Sequence, residues 1–355
     1  MDIKKIIMEI KPLSEHLSAD AQKKIDGKTK PRGSLGRLED CAVRLCRIQN
    51  TLSPQIQNKA LFVFAADHGI AGEGVSAYPP EVTPQMVLNF LSGGAAINVL
   101  CRQQNIDIKI IDAGVNFDFF SLPEEKLSGL INKKIRPGTG NFLKEPAMTM
   151  AEAEKCLAAG AAVVKEYLEK NRADVIGLGD MGIGNTASSS AIISAVTGIS
   201  PAEVTGRGTG IDDQHLKQKA DIIAKALIKH KPDARNAFDI LSKVGGFEIG
   251  AIAGAALFAA SKNIPVVLDG IISTAGGLIA GLLNPSCRDY FFSGHQSVEK
   301  GQKAALAFMN LEPLLDLNLR LGEGTGAALA MHLLDASCRI MSEMASFEEA
   351  GVSKA

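Results

Sequence analysis

Three loops combine glycine with residues that can bind or move charge. The first, Gly179-Asp180-Met181-Gly182-Ile183-Gly184-Asn185-Thr186, separates an apolar run from a stretch of small residues. Its glycines let a ligand approach the backbone closely, and free N–H groups at a helix start attract an anion. The second, Gly206-Arg207-Gly208-Thr209-Gly210-Ile211-Asp212-Asp213, is followed by Lys217 and Lys219, a combination suited to phosphate. The third, Gly322-Glu323-Gly324-Thr325-Gly326, isolates one carboxylate among glycines, with Leu319, Leu321, Ala327 and Ala328 around it. A carboxylate withdrawn from water costs free energy, and its raised pKa makes it a stronger base. Glu323 is therefore the candidate for proton transfer. The plainer alternatives are tight turns for the glycines and a solvated helix face for Lys217 and Lys219.

Other chemistries lack their signatures. No GxxxxGK[ST] loop occurs, and the first apolar run does not lead into GxGxxG with an acid about 20 residues on. Asp67, His68, Asp112, Asp269 and His295 follow apolar runs, but no HExxH or Cys/His spacing unites them. Capping and turn roles fit them better than a metal cluster, so no metal and no cofactor are expected. Ser293-Gly294-His295-Gln296-Ser297 is not a GxSxG elbow, which leaves covalent catalysis without a candidate. A net charge of −1 and the absence of Trp argue against a nucleic-acid partner. The longest apolar stretch, Ile249 to Ala260, falls well short of the ~20 residues of a membrane span. Six scattered cysteines without a CxxC pair read as free thiols, and a soluble cytoplasmic protein is expected.

The elements that position these loops follow a regular alternation. Runs at 60–65, 106–111, 175–178, 265–268 and 290–292 read as buried parallel strands, apolar on both faces apart from Asp107 and Lys109. Each ends in a polar or glycine turn, and helical periodicity follows in 84–102, 187–196 and 246–261. Strand, polar turn and helix in repetition predict an α/β fold with a doubly wound, mostly parallel, Rossmann-like sheet. Ligands then bind beyond the carboxyl ends of the strands. Residues 1–54 and 297–355 read as helices and are expected to form a small helical domain beside a large α/β domain spanning 55–296.

Five blocks in order carry a resemblance: Lys30 to Glu39 (KPRGSLGRLE), Ala66-Asp67-His68-Gly69, Gly179 to Thr186, Lys243 to Glu248 (KVGGFE), and Leu319 to Gly326 (LRLGEGTG). Over nearly its whole length the chain resembles the nicotinate-nucleotide–dimethylbenzimidazole phosphoribosyltransferase family. The resemblance implies transfer of phosphoribose from nicotinate mononucleotide to 5,6-dimethylbenzimidazole, giving α-ribazole phosphate for the lower ligand of cobalamin. It implies Glu323 as general base and Asp180 beside the ribose. Gly182, Gly184, Asn185, Thr186, Gly208 and Lys219 fall at positions around phosphate and ribose. Tyr78, Met86, Met181 and Leu321 fall at the acceptor pocket. A dimer is implied, of like or related chains, with small-molecule substrates as its other partners. Arg320 and Arg207 are candidates for the nicotinate carboxylate by charge alone.

The family usually carries Glu where this chain has Asp180, one methylene shorter, and Ala187-Ser188-Ser189-Ser190 replaces a run usually richer in Thr and Ala. Two alternatives stay open: a homologue that glycosylates phenols at oxygen, and a catalytically weakened partner subunit that mainly binds nucleotide.

Overall fold

A computed structural model describes residues 1–353. Seven strands form one parallel sheet: β1 (Lys59–Ala66), β2 (Ile106–Gly114), β3 (Leu130–Asn132), β4 (Val175–Met181), β5 (Val266–Leu268), β6 (Phe291–His295) and β7 (Pro313–Leu315). Their order is β3-β2-β1-β4-β5-β6-β7. The chain winds outward from β1 to β3, then returns to the other side of β1 with β4. That reversal makes the crevice above β1 and β4 the place where such sheets bind ligands. Every residue of β1 except Lys59, and every residue of β4 except Met181, is buried, which explains why these strands are apolar on both faces.

Glycines let the layers approach at backbone distance. A side chain at Gly160 would meet the Ala251 carbonyl oxygen at 1.8 Å, and one at Gly254 the Leu157 carbonyl oxygen at 1.9 Å. The helices Met150–Leu168 and Phe247–Ser261 therefore cross in direct backbone contact. On β4, Gly177 and Gly179 share one face, because side chains alternate along a strand. Gly177 abuts Met331 and Ala327 of the helix Thr325–Glu343, and Gly179 abuts the Glu323 carbonyl and the Gly324 nitrogen. The loop that carries Glu323 thus rests on the strand that ends in Asp180 and Met181.

The chain ends meet. A separate small core of Ala21, Ile25, Ala42, Cys46 and Met341 joins the helices Ser18–Asp26 and Arg37–Ile48 to the end of Thr325–Glu343. Lys28 pairs with Ser346 in an isolated antiparallel bridge. Residues 305, 306, 309, 327, 328, 330, 331 and 334, by contrast, belong to the main core. No helix among the described residues is long and apolar enough to cross a membrane.

Three expectations need correction. The region after 297 is not helical throughout, because β7 extends the sheet there beside β6. The helical pattern of 84–102 is two helices, Val82–Leu91 and Ala96–Gln104, interrupted at Gly93 and Gly94; Gly93 has φ +75°. The strand expected at 290–292 starts at Phe291, since Tyr290 closes a 3-10 turn, with its hydroxyl donating to the Lys11 carbonyl at 3.0 Å.

Candidate active site

The turn after β4 leads into the helix Asn185–Thr197, with Gly184 just before it at φ +96°. A side chain at Gly184 would strike His68 and Ala71, and one at Gly182 would lie 2.2 Å from the Ala66 carbonyl oxygen. The loop is therefore pressed onto the end of β1, where only glycine fits. Thr83 Oγ1 accepts the Ile183 N–H at 3.1 Å and ties the helix Val82–Leu91 to the same loop.

Asp180 is buried and accepts from Asn185 Nδ2 at 2.9 Å through Oδ2, while Oδ1 has no partner. Burial drives its pKa well above the ordinary carboxylate value, and the charges of Asp269 and Glu248 push the same way. Across from it lies Gly322, whose added side chain would sit 3.4 Å from the Asp180 carboxylate oxygens.

Glu323 has φ +64° between Gly322 at +80° and Gly324 at +94°. The two glycines adopt this left-handed region freely, whereas Glu323 stores backbone strain of about 1–3 kcal/mol there. Asp269 holds the strained loop in place. Its Oδ2 accepts from Gly324 N–H at 3.0 Å, and its Oδ1 from Gly326 N–H at 2.6 Å and Ala327 N–H at 3.1 Å, capping the helix Thr325–Glu343. Burial lifts Asp269 to about 7 despite those three donors. The Glu323 carboxylate is itself buried, with Oε2 unpartnered. Burial raises its pKa, offset in part by the backbone N–H of Ile97 at the start of the helix Ala96–Gln104. Asp269, Glu248 and Glu323 are thus buried carboxylates close enough to act electrostatically on Asp180, the one of the four that lines the crevice. Such a crevice suits a ligand carrying, or developing, positive charge.

The second glycine loop closes the other side. Lys219 is fully buried, and its Nζ donates to Thr186 Oγ1 at 2.7 Å and to the Gly206 carbonyl at 3.4 Å. Burial lowers its pKa to about 8, with the Glu299 carboxylate pulling the other way. Gly208, at φ +54°, donates its N–H to Glu299 Oε1 at 2.8 Å. Lys217 does not share this burial, so the two lysines of the sequence pattern part company.

The cavity at this junction has a volume of ≈100 Å³ and is lined by Asp180, Met181, Gly182, Asn185, Thr186, Gly208, Glu299 and Arg320 to Gly322, among others. That is smaller than the ~300 Å³ lower end of small-molecule sites, and the cavity opens beside the exposed Arg320 and Leu321. Gly184, Lys219 and Glu323 do not line the cavity itself, although residues beside or bonded to them do. Tyr78 and Met86 are also absent from its wall. Met86 lies half-buried on the helix Val82–Leu91, and Tyr78 is exposed in the preceding loop, which Thr209 tethers by accepting the Ala77 N–H at 2.9 Å. Arg207 pairs with Asp213 and donates to the Ile211 carbonyl.

The turn acids and histidines take structural partners. Asp112 accepts from Gly114 and Val115, Asp67 from Asn116, and His295 Nε2 from the backbone N–H groups of Leu317 and Leu319. Among the described residues no group of three or more His, Cys, Asp or Glu side chains is arranged to hold a metal ion. Two features escape sequence reasoning: the Glu299 carboxylate under Gly208, and a buried His68–Glu248 pair at 2.7 Å. Glu299 gives no local signal. Glu248 does, as an acid at the head of a long apolar helix.

The model of a family described as phosphoribosyltransferase matches residues 10–352. A nicotinate-nucleotide–dimethylbenzimidazole phosphoribosyltransferase of Geobacter sp. (strain M21) is 52% identical over 346 residues, 98% of this chain and 97% of that protein. One of the same name from Geotalea uraniireducens (strain Rf4) is 50% identical over 352 residues, covering 99% and 98%. Among solved structures, that of CobT from Thermus thermophilus superimposes with a TM-score of 0.90 at 45% identity, covering 96% of this chain and 99% of that one.

Proposed function

This chain belongs to the phosphoribosyltransferase family whose model spans it, and from that premise we propose that it transfers phosphoribose from nicotinate mononucleotide to 5,6-dimethylbenzimidazole, releasing nicotinate and α-ribazole phosphate. The observation that carries the reading is Glu323, a buried carboxylate with an unpartnered oxygen, held in a strained loop against the end of β4. Strain of this kind persists where the surrounding structure imposes it, and it clusters at working sites.

In the proposed reaction an acceptor ring nitrogen attacks C1′ of the ribose from the face opposite nicotinate. The C1′–N bond to the acceptor forms as the glycosidic bond breaks, and inversion turns a β-nucleotide into an α-riboside. The bonding electrons return to the pyridinium nitrogen, which leaves neutral and needs no proton. The N–H proton of the acceptor passes to Glu323, whose raised pKa improves it as a base. Asp180 faces the positive charge that develops on the ribose. The backbone of Gly182, Gly184, Asn185 and Thr186, together with Gly208 and Lys219, takes the phosphate and ribose. Met181 and Leu321, together with Met86 and Tyr78, take the flat acceptor; methionine is an adaptable apolar wall.

The proposal includes a dimer of like or related chains and action in the cytoplasm, where the six buried free cysteines stay reduced. The test is chromatographic: the purified chain is given nicotinate mononucleotide with each of a panel of benzimidazoles and phenols. Nicotinate release that requires 5,6-dimethylbenzimidazole, with an α-riboside phosphate as product, supports the proposal. Nucleotide binding without transfer to any acceptor overturns it in favour of a weakened partner subunit, the alternative that the shortened Asp180 keeps in play.

A further inference from the structure

We propose that His68 and Glu248 are a positioning pair that holds the Gly182–Thr186 loop, and with it the nucleotide, against the end of β1. The pair joins two sequence blocks that the transfer chemistry does not otherwise use: the turn after β1, and the segment that opens the helix Phe247–Ser261. His68 Nε2 and Glu248 Oε1 lie 2.7 Å apart, and both side chains are wholly excluded from solvent. A carboxylate only accepts, so the shared hydrogen is donated from Nε2. His68 Nδ1 and Glu248 Oε2 have no other partner, so each residue depends on the other. Breaking such a buried pair from one side leaves the survivor uncompensated.

The glycine loop lies directly on this pair. An added side chain at Gly184 would meet His68 Cβ at 3.2 Å, and one at Gly182 would meet ring atom Cδ2 at 3.5 Å. Gly246 closes the pair from behind, since a methyl there would lie 2.5 Å from His68 Cε1 and 2.7 Å from Glu248 Oε2. His68 is thereby enclosed by three glycines, Gly246 against its ring, Gly182 beside ring atom Cδ2 and Gly184 over its Cβ. Its orientation fixes the height of the loop over β1. Glu248 is also among the charges that act on Asp180, so the pair is coupled electrostatically to the ribose side of the crevice as well.

The inference rests on the transferase reading for the identity of the nucleotide, and the experiment separates the two. Initial rates are measured with nicotinate mononucleotide and 5,6-dimethylbenzimidazole varied independently, alongside calorimetric titration with nicotinate mononucleotide alone. Glu248→Ala is expected to raise the nucleotide KM and Kd at least tenfold while the acceptor KM stays within twofold. His68→Gln keeps a donor near the Nε2 position, and it is expected to remain within about threefold of wild type in all three. Gly246→Ala, which displaces the pair without removing it, is expected to reproduce the nucleotide-selective loss. Circular dichroism melts establish that each variant is folded; should Glu248→Ala not fold, Glu248→Asp replaces it, with the same selective loss expected. A folded Glu248→Ala, Glu248→Asp or Gly246→Ala variant whose nucleotide KM and Kd match wild type, or one that loses both substrates equally, overturns the positioning role. A wild-type chain that binds nucleotide but transfers nothing overturns the transferase reading, and the calorimetric comparison still decides the pair.

Discussion

Replacing Glu323 with Gln removes the proposed base while keeping the length and shape of the side chain. A positioned general base contributes roughly 10²–10⁴ in rate, so turnover should fall by that factor, about 2.7–5.5 kcal/mol of transition-state stabilisation. The loss should appear in kcat, because Asp180, Lys219 and the glycine loops that hold the nucleotide are untouched; the nucleotide KM should stay within about twofold. The same substitution has an opposite effect on stability. Burial raises the Glu323 pKa in the folded chain, so folding opposes its ionisation. That contribution to stability is fully present below the unfolded carboxylate pKa and is lost as pH rises through the folded value. At neutral pH Glu323→Gln should therefore melt higher than wild type, and the difference should shrink toward zero below about pH 4. Chromatographic rates and melts at pH 4, 6 and 8 measure both effects. Wild-type turnover in the variant refutes the assignment of the base, and a melting difference independent of pH refutes the electrostatic reasoning.

Three further outcomes are expected. Lys219→Met should raise the nucleotide KM by about 10- to 100-fold, the worth of a charge-assisted hydrogen bond, with the acceptor KM little changed; two-substrate kinetics measure it. The pH profile of kcat/KM for the nucleotide should be bell-shaped, rising at a pH above the usual carboxylate range as Glu323 and Asp180 ionise. It should decline beyond about pH 8 as Lys219 in the free protein loses its proton, and Lys219→Met should erase that alkaline limb. Gly179→Ala places a methyl 2.5 Å from the Glu323 carbonyl oxygen. It should lower turnover about 100-fold by shifting the loop, at a cost of about 1–3 kcal/mol in stability, read from the rate and a denaturant melt.

Four of the five longer or fully buried strands were legible as apolar runs because they are covered on both faces, and β2, half-buried at Asp107–Lys109, was legible from its alternating isoleucines. β3 and β7 were not, being three residues each and only half-buried, so burial imposes no pattern on them. The Ser92–Ala95 break is signalled in the sequence by Ser92-Gly93-Gly94, but apolar residues on both sides of it hide the end of one helix and the start of the next. Glu323 could be picked out since glycines on both sides and apolar neighbours leave few other uses for a carboxylate. The role of Asp269 could not, because the three N–H groups it caps lie more than fifty residues away. Lys217 and Lys219 look alike in sequence, and only the turn of the helix Asp213–His230 buries one and leaves the other outside.

The most direct test is a crystal structure with 5,6-dimethylbenzimidazole and a non-reacting nicotinate nucleotide bound together. A Glu323 carboxylate oxygen about 2.6–3.2 Å from an acceptor ring nitrogen, with C1′ on the acceptor's other side, is the predicted result. Glu323 turned to bulk water, or both ligands seated away from the crevice above β1 and β4, would contradict the account.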